Sequence, residues 1–330
     1  MARRVGDPFA EANAMVNAAT ARSFAGDLAG AGEQFVEASQ LAVACGAFEE
    51  ALRSRVNHLW TLEIDSTISE LRAAMDRHAA IPPIMTSAYG DYYTLSVDRF
   101  LHLPAGEWGS IEPHLRPDWV DRTRSTSTVR MLWLEVGSQV ALARGDLATA
   151  EVLIAESLEW ADRTGEPQRV SPTRALAAQF AALTGRPDDV LAHVRAAVEN
   201  LHGRLGISSS IQLAQQGGRA LLMAVPVEDA RPLVDAIVAL IGDQVTRRGT
   251  ASRATLAGLV LLAEGRPDDA AVTLTRARDV ELEREAPYHA AVAERDLAGA
   301  LETAGDMTGA AAARSRAAQV LDPLAVVHPL

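Results

Sequence analysis

A chain of 330 residues with 48% hydrophobic content holds ample apolar material for a core, and its 5% aromatics suit close helix packing better than β-sheet. Its formal charge of −12 disfavours direct binding of nucleic acid, which needs a basic face to meet phosphates. All 31 basic residues are arginine, so there is no lysine for a phosphate loop, a protein-kinase site or a Schiff base, and a lone cysteine, Cys45, excludes an internal disulfide and a cysteine-based zinc cluster.

In chain order, residues 1–8 show no apolar run behind Arg3 and Arg4, so no signal peptide is expected. No run of 18 uninterrupted apolar residues follows, so no membrane span is expected and the cytoplasm is the expected compartment. Residues 11–25 have helical apolar spacing, Gly26-Asp27-Leu28-Ala29-Gly30-Ala31 reads as a turn, and residues 33–44 as a second helix. Weaker turns fall near Ile64-Asp65-Ser66-Thr67 and near Pro104-Ala105-Gly106-Glu107-Trp108. Pro82-Pro83 breaks the chain between them, and residues 113–127 are irregular, so 80–127 is the least regular stretch.

From Thr128 onward a phrase repeats. Gly-Arg-Pro-Asp-Asp begins at Gly185 and again at Gly265, and 265 − 185 = 80. A degraded copy, Val225-Pro226-Val227-Glu228-Asp229, lies midway, and Gly145-Asp146 and Gly305-Asp306 stand one step of 40 to either side. A fixed period in the range of 20–50 residues marks a solenoid. The phrase itself is helix stop-and-start chemistry. Gly265 supplies a left-handed C′ residue, Pro267 tolerates a missing N–H, and Asp268 and Asp269 face the positive end of the next helix. Small residues recur seven before each turn, at Ala19, Ser138, Ala178, Gly218, Gly258 and Ala298, where two helices approach closely.

These columns resemble the tetratricopeptide repeat, with 40 residues per unit rather than 34. The last unit, with Ala286-Pro287-Tyr288-His289-Ala290-Ala291, then Leu297-Ala298-Gly299-Ala300-Leu301 and Ala304-Gly305-Asp306, is similar to the terminal repeats of large bacterial LuxR-type regulators related to the maltose activator. The resemblance implies a regulatory scaffold that binds a ligand or partner. The ATP-binding loop and the basic helix-turn-helix of those regulators have no counterpart here.

The expected fold is an all-α, right-handed α-solenoid of about eight helical hairpins. It is read as one superhelix: N-terminal repeats over 9–79, an irregular aromatic-rich region over 80–127, regular repeats over 128–321 and a tail over 322–330. No catalytic residue and no cofactor is assigned. The eight histidines form no His-x-x-x-His pair, so no metal site is assigned. Polar residues of the first helix of each hairpin are expected to line a concave face: Asn13, Asn17, Asn57, Glu135, Gln139, Gln179, Gln212, Gln215, Arg219 and Arg295. Amides and arginines there suit a peptide backbone or a carboxylate. A second candidate is an aromatic pocket drawn from Trp60, Tyr89, Tyr92, Tyr93, Trp108 and Trp133. The leading expectation is a non-enzymatic scaffold or sensor that binds a peptide, protein partner or small ligand on its concave face, with bacterial transcriptional regulation as its setting. The alternatives are an enzyme with its pocket in 80–135 and an oligomerisation module such as a homodimer.

Overall fold

Helix follows helix throughout, and no strand occurs among the described residues. The computed structural model describes residues 6–81, 88–116, 119, 127–201, 207–242 and 246–328. The architecture is an all-α helical-repeat solenoid. It falls into two compact units, residues 1–103 with 107–133, and residues 104–106 with 134–330.

The first unit holds α1 (Pro8–Phe24), α2 (Leu28–Ala44), α3 (Phe48–Leu62), α4 (Ile68–Asp76), α5 (Ala88–Val97) and α6 (Trp108–Ile111). A π turn, Asp98–His102, extends α5, and a 3-10 turn, Glu112–Leu115, follows α6. Helix α1 packs on α2, α2 on α3 and α3 on α5. Val16, Ala19, Ala31, Phe35 and Ala38 form the core of the first hairpin.

Helix α7 (Ser127–Ala143) leads into the second unit. There α8 (Leu147–Thr164), α9 (Pro167–Leu183) and α10 (Pro187–Leu201) follow. Next come α11 (Ile207–Leu213), a π turn (Ala214–Gly218) and α12 (Arg219–Ala224), stacked end to end, then α13 (Val227–Ile241). Last are α14 (Arg247–Ala263), α15 (Pro267–Glu283), α16 (Pro287–Thr303) and α17 (Met307–Leu321).

The turn chemistry follows the sequence. At Gly265, φ is +74°, the amide of Gly265 donates to Leu262 O (3.1 Å) and that of Arg266 to Leu261 O (2.9 Å), closing a Schellman motif. Two ways of starting the next helix then appear. Asp27, Asp146 and Asp306 act as N-caps for the amides of Gly30, Thr149 and Gly309. After Gly265 the cap position is Arg266, without a side-chain cap bond; Pro267 opens the helix and Arg266 pairs with Asp269 at 2.6 Å. The left-handed positions show a finer rhythm than the glycines did. Residues 145, 165 and 185, and then 265, 285, 305 and 325, have positive φ at a step of 20, Glu285 and Ala325 without being glycine, while Val225 between the two runs is extended at φ −121°.

The small-residue column has a direct cause. A Cβ on Gly218 would stand 2.7 Å from Leu256, and one on Gly258 would stand 2.6 Å from Leu274. Ala19, Ser138, Ala178 and Ala298 in the same column are buried.

Candidate functional site

In the first unit, polar residues at helical spacing meet in a ladder between α1 and α3. Asn13, Asn17, Thr20 and Ser23 lie along α1, and Glu50, Arg53, Asn57 and Thr61 lie along α3. Asn13 Nδ2 donates to Glu50 Oε1 (3.1 Å), and Asn17 Nδ2 donates to Asn13 Oδ1 (3.2 Å). Arg53 Nη1 donates to Asn17 Oδ1 (2.9 Å), while Arg53 Nη2 holds Glu50 Oε2 at 2.6 Å. Asn57 Nδ2 donates to Thr20 Oγ1 (3.1 Å), and Thr61 Oγ1 to Ser23 Oγ (3.0 Å). Asn17 is exposed, and Asn13, Arg53 and Asn57 are half-buried. Two helices thus present a row of amides and hydroxyls with one arginine–glutamate pair, partly open to solvent.

The residues named for the second unit lie in a different setting. Glu135, Gln179, Gln212 and Arg219 are only 5%, 2%, 3% and 8% exposed. Glu135, Gln212 and Arg219 are joined across the interior rather than spread on an open face. Gln212 Nε2 donates to Glu135 Oε1 (2.6 Å). Arg219 makes a two-pronged pair with Asp296, its Nη2 2.9 Å from Asp296 Oδ1. Each of these links spans 77 residues, so inner helices two hairpins apart touch. Gln139 Nε2 reaches Glu135 Oε1 at 3.4 Å, and Gln215 Oε1 accepts from Arg248 Nη2 at 2.8 Å. Arg295 is exposed and its Nη1 donates to the carbonyl of Val327 (3.2 Å). Deeper still, burial alone would raise Glu281, but Arg284 at 2.6 Å and the ring of His289 hold it down to about 2.

The aromatics of the irregular region pack as core, with arginines laid over them. Trp60 meets Phe100 edge-on at 4.8 Å, and the Arg99 guanidinium lies 4.9 Å from the Trp60 ring and 4.7 Å from the Phe100 ring. Arg55 lies 5.8 Å over Tyr93, whose hydroxyl is pushed up by burial, and Tyr92 is half-buried. Trp108 is buried and donates from Nε1 to Leu103 O (3.2 Å). Trp133 donates to His114 O (3.0 Å), with Arg130 4.6 Å over its ring. Tyr89 is on α5, and its side chain lies outside the described residues.

At the centre of that region is a group the sequence reading did not single out. Asp98, on the π turn, has a side chain only 1% exposed. Its Oδ1 accepts from His102 Nδ1 (2.8 Å) and its Oδ2 from His114 Nδ1 (2.6 Å). One carboxylate therefore ties the π turn to the 3-10 turn and fixes both rings. It leaves Nε2 of each ring as the nitrogen turned away from the carboxylate, the arrangement a general base uses. The Asp-x-x-x-His spacing of Asp98 and His102, one helical turn, was the available signal.

A second histidine pair is internal. His58 Nδ1 and His78 Nε2 are 2.9 Å apart, with Phe35 stacked 5.7 Å from His58. Burial first, and then neighbouring cations, holds His58 down at about 4 and His78 at about 3. No described cluster of three or more His, Cys, Asp or Glu could hold a metal ion.

No family model matches the chain, and no curated protein matches it. Among solved structures it is similar to that of BtubC (BKLC) from P. vanneervenii, at 18% identity and a TM-score of 0.39, over 74% of this chain and 95% of that one.

Proposed function

We propose that the chain is a non-enzymatic, cytoplasmic helical-repeat scaffold or sensor that holds a peptide segment of a protein partner, or a small ligand, on the inward face of its hairpins. The support is the α1–α3 ladder. Amides there offer donor and acceptor together, as an extended main chain requires, and the Arg53–Glu50 pair among them holds the row in register. The likeness of the repeats to those of LuxR-type bacterial regulators supplies the setting, transcriptional regulation in a bacterium.

The test is to capture the partner from the native host with the full chain, define the bound segment, and titrate that segment by calorimetry. Replacing Asn17 and Asn57 together by alanine is expected to weaken binding at least tenfold, at about 1 kcal/mol per lost hydrogen bond. An unchanged affinity in that double variant sinks the α1–α3 site. A second reading, an enzyme with its site in 80–135, draws on Asp98 and its two fixed imidazoles. It requires turnover in a screen of hydrolysable substrates that His102→Gln removes while the melting temperature holds; the absence of any turnover disposes of it.

A further inference from the structure

Helix α3 carries polar side chains on two sides. Arg53 and Asn57 meet α1, and Arg55 stands about 200° round the helix from both, toward α4 and α5. There its Nη2 donates to the carbonyl of Ala79, just beyond α4, and its guanidinium lies 5.8 Å over the Tyr93 ring of α5. Burial works against its charge, and the support comes from the Tyr93 hydroxyl, not from a carboxylate. Its Nε is buried and has no hydrogen-bond partner. His78, next to Ala79, adds a second such nitrogen. The residue is 7% exposed, and its Nδ1 is buried without a partner. Its neighbours place the proton on that atom. His58 Nε2 faces Gly32, where a Cβ would stand 2.9 Å away, so a Cα hydrogen of Gly32 points at this nitrogen and Nε2 is the accepting side of the ring. His58 therefore carries its proton on Nδ1 and donates it to His78 Nε2 at 2.9 Å. His78 is left protonated on Nδ1, a buried donor turned away from His58.

Two buried N–H groups without acceptors destabilise a fold unless something accepts from them. After burial and His58, the Arg55 guanidinium is among the charges that hold His78 down, so both nitrogens share one neighbourhood. The surroundings set the charge of the acceptor. Arg77, beside His58 and His78, is already paired with Glu33 at 2.6 Å. Glu33 also acts on His58, and Asp76 on Tyr93, and both oppose a second negative charge. A group with one negative charge and two acceptor oxygens meets these conditions, and a carboxylate is such a group. Arg55 and Tyr93 are half-buried, so the neighbourhood reaches the surface.

We propose that Arg55 Nε and His78 Nδ1, with the Tyr93 hydroxyl, bind one carboxylate where α3, α4 and α5 meet, the carboxylate of a small organic acid or of a peptide chain end. The site lies on the far side of α3 from the α1–α3 ladder and does not rest on that reading. Benzoate is the probe for a small acid and N-acetylphenylalanine for a chain end, with benzamide and N-acetylphenylalanine amide as their neutral controls. Nitrogen-15 NMR of the histidine rings in the full chain reads the site directly. Either acid is expected to shift the His78 Nδ1 signal saturably and to bind at least tenfold more tightly than its amide, and the tighter acid identifies the source. Arg55→Lys keeps the positive charge and loses the Nε donor, and is expected to weaken binding at least tenfold. Tyr93→Phe is expected to weaken it about threefold. Circular dichroism checks that both variants stay folded, and the His78 signal of the unaltered chain tests the site without them. Absence of a saturable shift at His78 with either acid overturns the proposal, as does binding that Arg55→Lys leaves unchanged. Inorganic phosphate that binds as tightly as the acids also overturns it, in favour of an unselective anion site.

Discussion

Two single residues put the fold's local chemistry to measurement. A Cβ at Gly265 would meet nothing within 4 Å, so Gly265→Ala carries a backbone cost alone. About 1 kcal/mol of stability should be lost, read as a shift in the urea midpoint without a change in slope. Asp98 is the opposite case, a carboxylate buried under two imidazoles. Asp98→Ala removes the acceptor of both imidazoles, which are about a quarter open to water, and should cost about 2–3 kcal/mol. The histidine pair gives a pH dependence. In the folded state His58 and His78 titrate near 4 and 3, below their ordinary 6.5. The unfolded chain therefore takes up protons first as the pH falls. Their contribution is intact above pH 6.5 and is lost from there down to the folded values, by about 1.4 kcal/mol per pH unit per histidine. Urea midpoints between pH 7.5 and 5 should show that slope, and His78→Gln should flatten it. At this scale the sequence was a partial guide. Glycine and proline announce backbone constraints by themselves. A histidine's surroundings come from helices far along the chain, as His114 reaching Asp98 shows.

Helices were legible where their ends carry strong signals. Gly26, Gly145, Gly185, Gly265 and Gly305 mark stops, and Asp27, Asp146 and Asp306 mark starts. The 20-residue step was hidden because Glu285 and Ala325 take the left-handed conformation without being glycine. Thr67 illustrates a start that is readable but weak. It forms a full capping box with Glu70, the amide of Glu70 donating to Thr67 Oγ1 (3.1 Å) and that of Thr67 to Glu70 Oε2 (2.7 Å). Thr67→Ala should lower stability by about 1 kcal/mol, with faster hydrogen exchange confined to α4. Inward-facing polar residues were read as an open face. In the first unit Asn17 and Asn57 do stand partly open, whereas Gln212 and Arg219 are bonded across the second unit. The period of a repeat is written in one sequence; how tightly successive hairpins curl depends on many small packing offsets and is not. Leucine at Arg219 alone should leave the half-buried Asp296 without its arginine and cost about 2–3 kcal/mol; leucine at both sites should recover much of that. A double-mutant cycle by chemical denaturation separates the two.

For the whole molecule, additive stacking is the first expectation, since each repeat of a solenoid normally touches only its neighbours. The second unit breaks that rule at its extremities. Val327 N and His328 N both donate to Ala143 O, at 2.8 and 2.9 Å. Arg144 Nε donates to Leu324 O at 3.3 Å, and Tyr288 N to Pro104 O at 3.1 Å. Removing residues 325–330 should therefore loosen the last turn of α7 as well as the tail. Hydrogen exchange there should rise severalfold, while exchange in α9 and α10 stays as it was; an α7 unaffected by the deletion means that these bonds contribute nothing. The same bonds set a timetable for the nascent protein. Ala143 O waits for a donor 184 residues downstream (327 − 143), which at ordinary elongation rates leaves it unmet for about ten to forty seconds. During that interval α7 has only its neighbours to hold it, so slowing translation beyond Ala143 prolongs the exposure of one particular helix end rather than of the chain at large.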